Sequence, residues 1–147
     1  MEKITHSLDE TRKIAQDIAE SLKPGYLITL RGNLGTGKTT FTRFLVKALG
    51  INARVQSPSF VIARRYEDEI ASNRAGIKVV NHIDLYRLQD SAEVEDLDLG
   101  QYFGQPTEIT IIEWPEIAEE MLPTQNRIDI FFEDLGENTR KIQIEEN

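Results

Sequence analysis

At 147 residues, 39% of them apolar and 29% charged, the chain is long enough to bury a proper core and is expected to form a single domain over residues 1–147. It has no cysteine, which excludes disulfides, zinc–thiolate sites and thiol catalysis; no apolar run approaches a membrane span, and Met1–His6 is too polar for a leader, so a cytoplasmic protein is expected. The net charge is −8 and the basic residues are scattered, with short pairs such as Arg64-Arg65 and Arg140-Lys141, which argues against tight direct binding of DNA or RNA.

Ser7-Leu8-Asp9-Glu10 has the form of a capping box, and Ile14, Ala15, Ile18, Ala19 and Leu22 then recur at helical spacing. A helix over roughly 8–22 is predicted to pack on a sheet, with Pro24-Gly25 ending it. Tyr26 to Leu30 reads as a strand. Gly32-Asn33-Leu34-Gly35-Thr36-Gly37-Lys38-Thr39 follows and fits the G-x-x-x-x-G-K-[ST] pattern. Glycines let the backbone turn through conformations a side chain would block, so that successive N–H groups face a phosphate. Lys38 adds a point charge for the outer phosphates, and the Thr39 hydroxyl is a ligand suited to Mg²⁺. A helix over 41–49 should carry the loop on its N-terminus and add its dipole to the anion site. This strand–loop–helix context reads as a nucleotide-phosphate site rather than an accidental glycine-rich turn.

Gly50 is a natural helix C-cap. Ser57-Pro58-Ser59-Phe60 leads into an alternating strand over 60–66. By themselves these residues favour a plain Ser-Pro turn, although hydroxyls at such a junction can also sense a γ-phosphate as switch segments do. A polar excursion over 67–76 precedes a strand over 77–83 that ends at Asp84. The acidic run 91–99 places Val94 and Leu97 on one helical face, the rest being solvated. Glu108 to Ile112 is the clearest buried strand, and Glu113-Trp114-Pro115-Glu116 follows at once, with a short helix over 115–120. Two alternating stretches, 127–133 and 140–144, predict a terminal β-hairpin around 134–138.

A phosphate loop needs a second metal anchor at the carboxyl end of a neighbouring apolar strand, and Asp84 and Glu113 both stand at such ends. Glu113, behind the stronger strand, is the better candidate to hold Mg²⁺ directly or through water. Asp84 would order metal-bound or attacking water. A capping carboxylate in a turn is the alternative for each, and for Asp84 it carries equal weight. Trp114 either borders the nucleotide or packs, and His82 reads as a buried, satisfied histidine rather than a catalytic one. Lys38, Thr39 and Glu113 carry the assignment.

The order GNLGTGKTTFTR, SPSF, HIDLYRL, IIEWPE closely resembles the TsaE (YjeE) family over most of the chain, from about Ser7 to the terminal hairpin. The resemblance implies an α/β, three-layer P-loop NTPase fold, with a mixed, mostly parallel central sheet flanked by helices and the C-terminal β-hairpin. It implies binding of ATP or ADP with Mg²⁺, and slow hydrolysis stimulated by the partner proteins TsaB and TsaD. That hydrolysis would reset the pair between rounds of threonylcarbamoyl transfer to the adenosine next to the tRNA anticodon, with tRNA met only indirectly. By match, the nucleotide loop comprises Gly35, Thr36, Gly37, Lys38, Thr39 and Thr40. Thr39 and Glu113 form the metal pair, Asp84 is the aspartate of an HxDxYR motif, Ser57 and Ser59 lie in a switch-like segment, and Thr11 borders the nucleotide. The chain departs from the family at Asn33, usually acidic, at Ser59, usually threonine, and at Phe44, usually glycine. A small-molecule kinase on the same core is the alternative, but such kinases carry an arginine-rich lid and the segment after Leu88 is acidic. A nucleotide-binding interaction module with incidental hydrolysis is a third.

Overall fold

The computed structural model describes residues 1–58 and 61–147. Its elements are β1 (Glu2–Thr5), α1 (Leu8–Ser21), β2 (Leu27–Arg31), α2 (Lys38–Ala48), β3 (Ala63–Glu67), β4 (Val79–Asp84), α3 (Ser91–Glu95), β5 (Glu108–Glu113), β6 (Arg127–Gly136) and β7 (Thr139–Glu146), with 3₁₀ segments at Leu99–Tyr102 and Pro115–Met121. Among the described residues seven strands form one sheet in the order β1-β7-β6-β2-β5-β4-β3. The inner strands β6, β2, β5 and β4 pair parallel, while β7, β1 and β3 join antiparallel at the margins. This is the expected mixed α/β sheet between helical layers.

Helices cover both faces of the inner strands, so β2, β4 and β5 are buried almost throughout, polar residues such as Thr29, Asn81, His82 and Thr110 included. Side chains alternate between two cores. Ile28, Leu30, Ile111 and Ile130 face α1 and α2, where Ile14, Ile18, Phe41 and Leu45 fill the space. Leu27, Ile83 and Ile112 face α3 and the 3₁₀ segments, meeting Val94, Leu99, Ala118 and Leu122. Phe41 is fully buried and meets the edge of Phe132 with ring centroids 5.5 Å apart.

Local signals behave as the sequence suggests. Ser7 caps α1, its Oγ accepting from the Glu10 amide at 3.2 Å, while Glu10 reaches back to the His6 amide at 2.5 Å, one residue beyond the usual reciprocal bond. Gly50 follows α2 with a φ of +73°. Other elements differ. β1 was not expected, because its residues are polar; it is an edge strand that buries only Thr5 and forms through backbone pairing with β7. The strand expected over 60–66 is Ala63–Glu67, and Ser59 and Phe60 lie outside the described residues. The hairpin turn is tighter than expected, with Glu137 and Asn138 both at positive φ, as a two-residue turn matched to strand twist requires. No helix among the described residues is long and apolar enough to cross a membrane.

Away from the loop end of the sheet, Glu108 of β5 accepts from Arg65 of β3 at 2.9 and 3.0 Å and from Asn81 of β4 at 3.0 Å. The Arg65 hydrogen bonds hold the Glu108 carboxyl below the usual carboxylate range against the effect of burial. A carboxyl depressed in the folded state stabilises above its unfolded pKa and loses that contribution as pH falls through the folded value. Glu108→Gln is therefore expected to lower the thermal midpoint slightly at neutral pH, by the roughly 0.2–1 kcal/mol typical of exposed pairs. The difference from the parent should close as pH drops well below about 4.3, which thermal melts across a pH series will show.

Candidate functional site

The parallel register brings three strand ends to one edge. Leu30 of β2 pairs with Glu113 of β5, and Asp84 of β4 pairs with the same Glu113. The chain leaves β2 into the glycine loop, so the loop, Asp84 and Glu113 converge outside the carboxyl ends of the strands, where ligands of open α/β sheets lie. They line an open cleft of about 810 Å³, within which Thr11, Gly35, Thr36, Gly37, Lys38, Thr39, Thr40 and Ser57 all stand.

Gly32 turns the chain at a φ of +142°, and a Cβ there would lie 2.5 Å from the Phe132 carbonyl oxygen. Gly35 and Gly37 also hold positive φ, and Gly37 caps α2 without a side-chain bond, so the helix amides face the cleft. The Thr36 hydroxyl donates to the Asn33 carbonyl at 2.8 Å. Lys38 is buried; its ammonium donates to the Gly32 carbonyl and, at 3.1 Å, to that of Asn33, and sits 4.0 Å from the Trp114 ring centroid. Burial pushes the Lys38 ammonium below its ordinary pKa, and Glu113, Asp84 and Glu116 offset this in part.

Thr39 Oγ1 lies 3.3 and 3.4 Å from the two Glu113 carboxylate oxygens. The pairing of Thr39 with Glu113 expected from sequence is thus present in space. Glu113 is buried and meets His82 Nε2 at 2.6 Å. The next residue, Trp114, holds a φ of +57°, strained for a bulky side chain, and its ring packs on Tyr86 with centroids 4.8 Å apart. The Asp84 carboxylate caps the following turn, accepting from the Tyr86 amide at 2.8 Å, and also lines the cleft. Thr11 is 3.3 Å from Thr5 Oγ1 and 3.4 Å from the Ser7 carbonyl, at the foot of α1.

Sequence reasoning missed two arrangements, the partners of His82 and the far wall of the cleft. His82 is fully buried and bonded at both ring nitrogens, to Glu113 and, at 3.2 Å, to the Tyr66 hydroxyl. The available signal was spacing, since His82 stands two residues before Asp84 and therefore shares its face of β4. The second is the far wall, which Arg12 of α1 and Asn138, Arg140 and Ile142 of the hairpin line together; residues so distant in sequence carry no joint motif. Asn33 lines a separate recess of about 540 Å³ beside Glu133, Asp134 and Lys141 rather than the main cleft. Phe44 lies under the Arg12 guanidinium, 4.9 Å from it, and so helps join α1 to α2.

Backbone amides at a helix start, a buried ammonium, and a hydroxyl–carboxylate pair make a cleft shaped for a polyphosphate. Together with the sheet order they define a P-loop fold. The chain belongs to the TsaE family: the family model described as threonylcarbamoyl adenosine biosynthesis protein TsaE matches residues 5–142. The tRNA threonylcarbamoyladenosine biosynthesis protein TsaE of Bacillus subtilis is 42% identical over 135 residues, covering 91% of this chain and 78% of that one. The protein of the same name from Aquifex aeolicus is 38% identical over 145 residues, covering 97% and 94%. The crystal structure of Bacillus subtilis YdiB superposes with a TM-score of 0.76 at 31% identity, covering 98% of this chain and 83% of that one.

The two loop glycines at positions 32 and 35 are expected to respond differently to alanine. At Gly35 a Cβ meets nothing, and the cost is the left-handed backbone alone, about 1–2 kcal/mol. At Gly32 the collision with the Phe132 backbone adds to it, so Gly32→Ala should be the more destabilising by roughly 1–3 kcal/mol. Urea denaturation midpoints of the two variants check the order.

Proposed function

We propose that this chain is a Mg²⁺-dependent ATP hydrolase, slow by itself, that sustains repeated turnover of the TsaB–TsaD pair in making threonylcarbamoyladenosine on tRNA. The observation that carries this reading is the meeting of Lys38, Thr39 and Glu113 at the start of α2, in one cleft with the loop amides.

The residues fit the metal. Thr39 and Glu113 offer hard oxygen donors, and among the described residues no cluster of three His, Cys, Asp or Glu forms a cage able to hold an ion unaided. That suits Mg²⁺, which takes one or two protein oxygens and completes its shell with phosphate and water. When bound, the ion neutralises charge on the outer phosphates. The protein's part is placement. The loop amides and Lys38 hold the phosphate chain, with the low-dielectric setting of Lys38 strengthening its attraction for an anion. Asp84, the register partner of Glu113, would orient a water for attack. The His6–Arg12 segment and the hairpin wall enclose the nucleoside end. Acidity of the whole chain, with a net charge of −8, leaves tRNA to the partners and disfavours DNA. The reading places the reaction in the cytoplasm.

Hydrolysis of ATP with and without the TsaB–TsaD pair is the direct test, and stimulation by the cognate pair is the expected result. Lys38→Ala and Glu113→Gln should each lower the stimulated rate about 100-fold or more, while leaving binding to the pair intact. In parallel, multiple-turnover tRNA modification should stop. Modification at the normal rate by a hydrolysis-dead variant would sink this reading.

A further inference from the structure

Two tethers join the carboxylate strand ends to the segment that begins at Gln56. The first is a buried hydrogen-bond chain. Glu113 meets His82 Nε2 at 2.6 Å, and His82 Nδ1 lies 3.2 Å from the Tyr66 hydroxyl. That hydroxyl donates to the Gln56 carbonyl at 2.9 Å and accepts from the Gln56 amide at 3.1 Å. Glu113, His82 and Tyr66 are 3%, 0% and 6% exposed, so bulk water does not compete for these bonds. The second tether is backbone: the Asp84 amide donates to the Ile62 carbonyl at 2.8 Å, and the Ile62 amide donates to the Pro58 carbonyl at 2.7 Å. Ile62 holds a φ of +68°, a costly conformation for a β-branched residue that persists only where its surroundings enforce it. Between the tethers, Ser57 lines the cleft and is exposed.

The phenol has one proton and two acceptors within reach, Gln56 O and His82 Nδ1. A shift of the imidazole with Glu113 therefore redistributes that hydroxyl, and the Gln56 peptide gains or loses a partner. We propose that Tyr66 and His82 are positioning residues that couple the setting of the Glu113 carboxylate to the seating of the Gln56–Pro58 segment. A nucleotide held with Mg²⁺ at Glu113 is thereby registered on the cleft wall at Ser57. The inference rests on the nucleotide reading above and assigns that site a built-in output.

Amide hydrogen exchange in the full-length protein, with and without Mg²⁺ and a non-hydrolysable ATP analogue, tests it. In the parent, the analogue with Mg²⁺ should change exchange at Gln56 and Ser57 by about 2- to 10-fold, the factor one neutral hydrogen bond is worth. Tyr66→Phe keeps the ring, should speed exchange at Gln56, and should abolish the response to the analogue. Two further variants divide the relay. A glutamine amide reaches the place of the distal ring nitrogen and an asparagine amide that of the proximal one. His82→Gln should therefore keep the Mg²⁺ requirement for analogue binding while losing the exchange response, whereas His82→Asn should disturb both. A response that survives in Tyr66→Phe and His82→Gln, with only the melting temperature lowered, would overturn the coupling and leave the nucleotide site standing. Failure of the parent protein to bind the analogue with Mg²⁺ would instead overturn the functional reading, and the coupling with it.

Discussion

The parallel register of β2, β5 and β4 is the constraint on which the cleft depends. Because Glu113 pairs with both Leu30 and Asp84, the glycine loop and two carboxylates emerge side by side at one sheet edge. A slip of one residue in β5 or β4 would turn Glu113 or Asp84 to the opposite face and send apolar side chains out of their cores. The alternation of Leu27 into one core and Ile28 into the other enforces the register from within. Packing of the apolar residues thus sets the positions of the charged ones.

Charge burial at the edge is tolerated because the groups partner one another. Lys38 lies among carbonyl oxygens, the Trp114 ring and three acidic neighbours, and Glu113 lies between Thr39 and His82. Each would be costly alone at that depth. Two bulky residues at the same edge, Ile62 and Trp114, hold positive φ at a cost, whereas Gly32 adopts it freely. Behind the edge, Arg31 and Arg127 clasp Glu119 at 2.6 and 2.5 Å, and Arg127 also holds Asp129 at 2.8 Å. Burial works against the Glu119 charge, but the two guanidinium groups hold its carboxyl below the usual range. That network pins the 3₁₀ segment Pro115–Met121 to β2 and β6, and so fixes the direction in which the chain leaves Glu113.

Local signals made much of this readable. A glycine loop between a strand and a helix has one structural outcome, and Glu113 at the end of a strongly β-branched strand announces the neighbouring edge. The capping box at Ser7 and the C-cap at Gly50 act within a few residues. By contrast, β1 escaped notice because a polar edge strand has no periodicity to display; its stability comes from β7, more than a hundred residues away in the chain. His82 reads from sequence as a satisfied core histidine, and it is one. Its partners, Glu113 and Tyr66, are what connect it to the cleft, and neither is close to it in sequence.

The amino-acid sequence by itself determined most of the strands, the two long helices and the phosphate loop, because propensity, capping and glycine conformation act over short spans of chain. It also determined which side chains have the chemistry for a phosphate site. Only the tertiary structure decided which of them meet. The approach of Thr39 to Glu113, the relay from Glu113 through His82 and Tyr66 to Gln56, and the wall supplied by α1 and the hairpin all depend on strand order and register. Those follow from closing two cores around one sheet, a condition on the whole chain that no short segment contains.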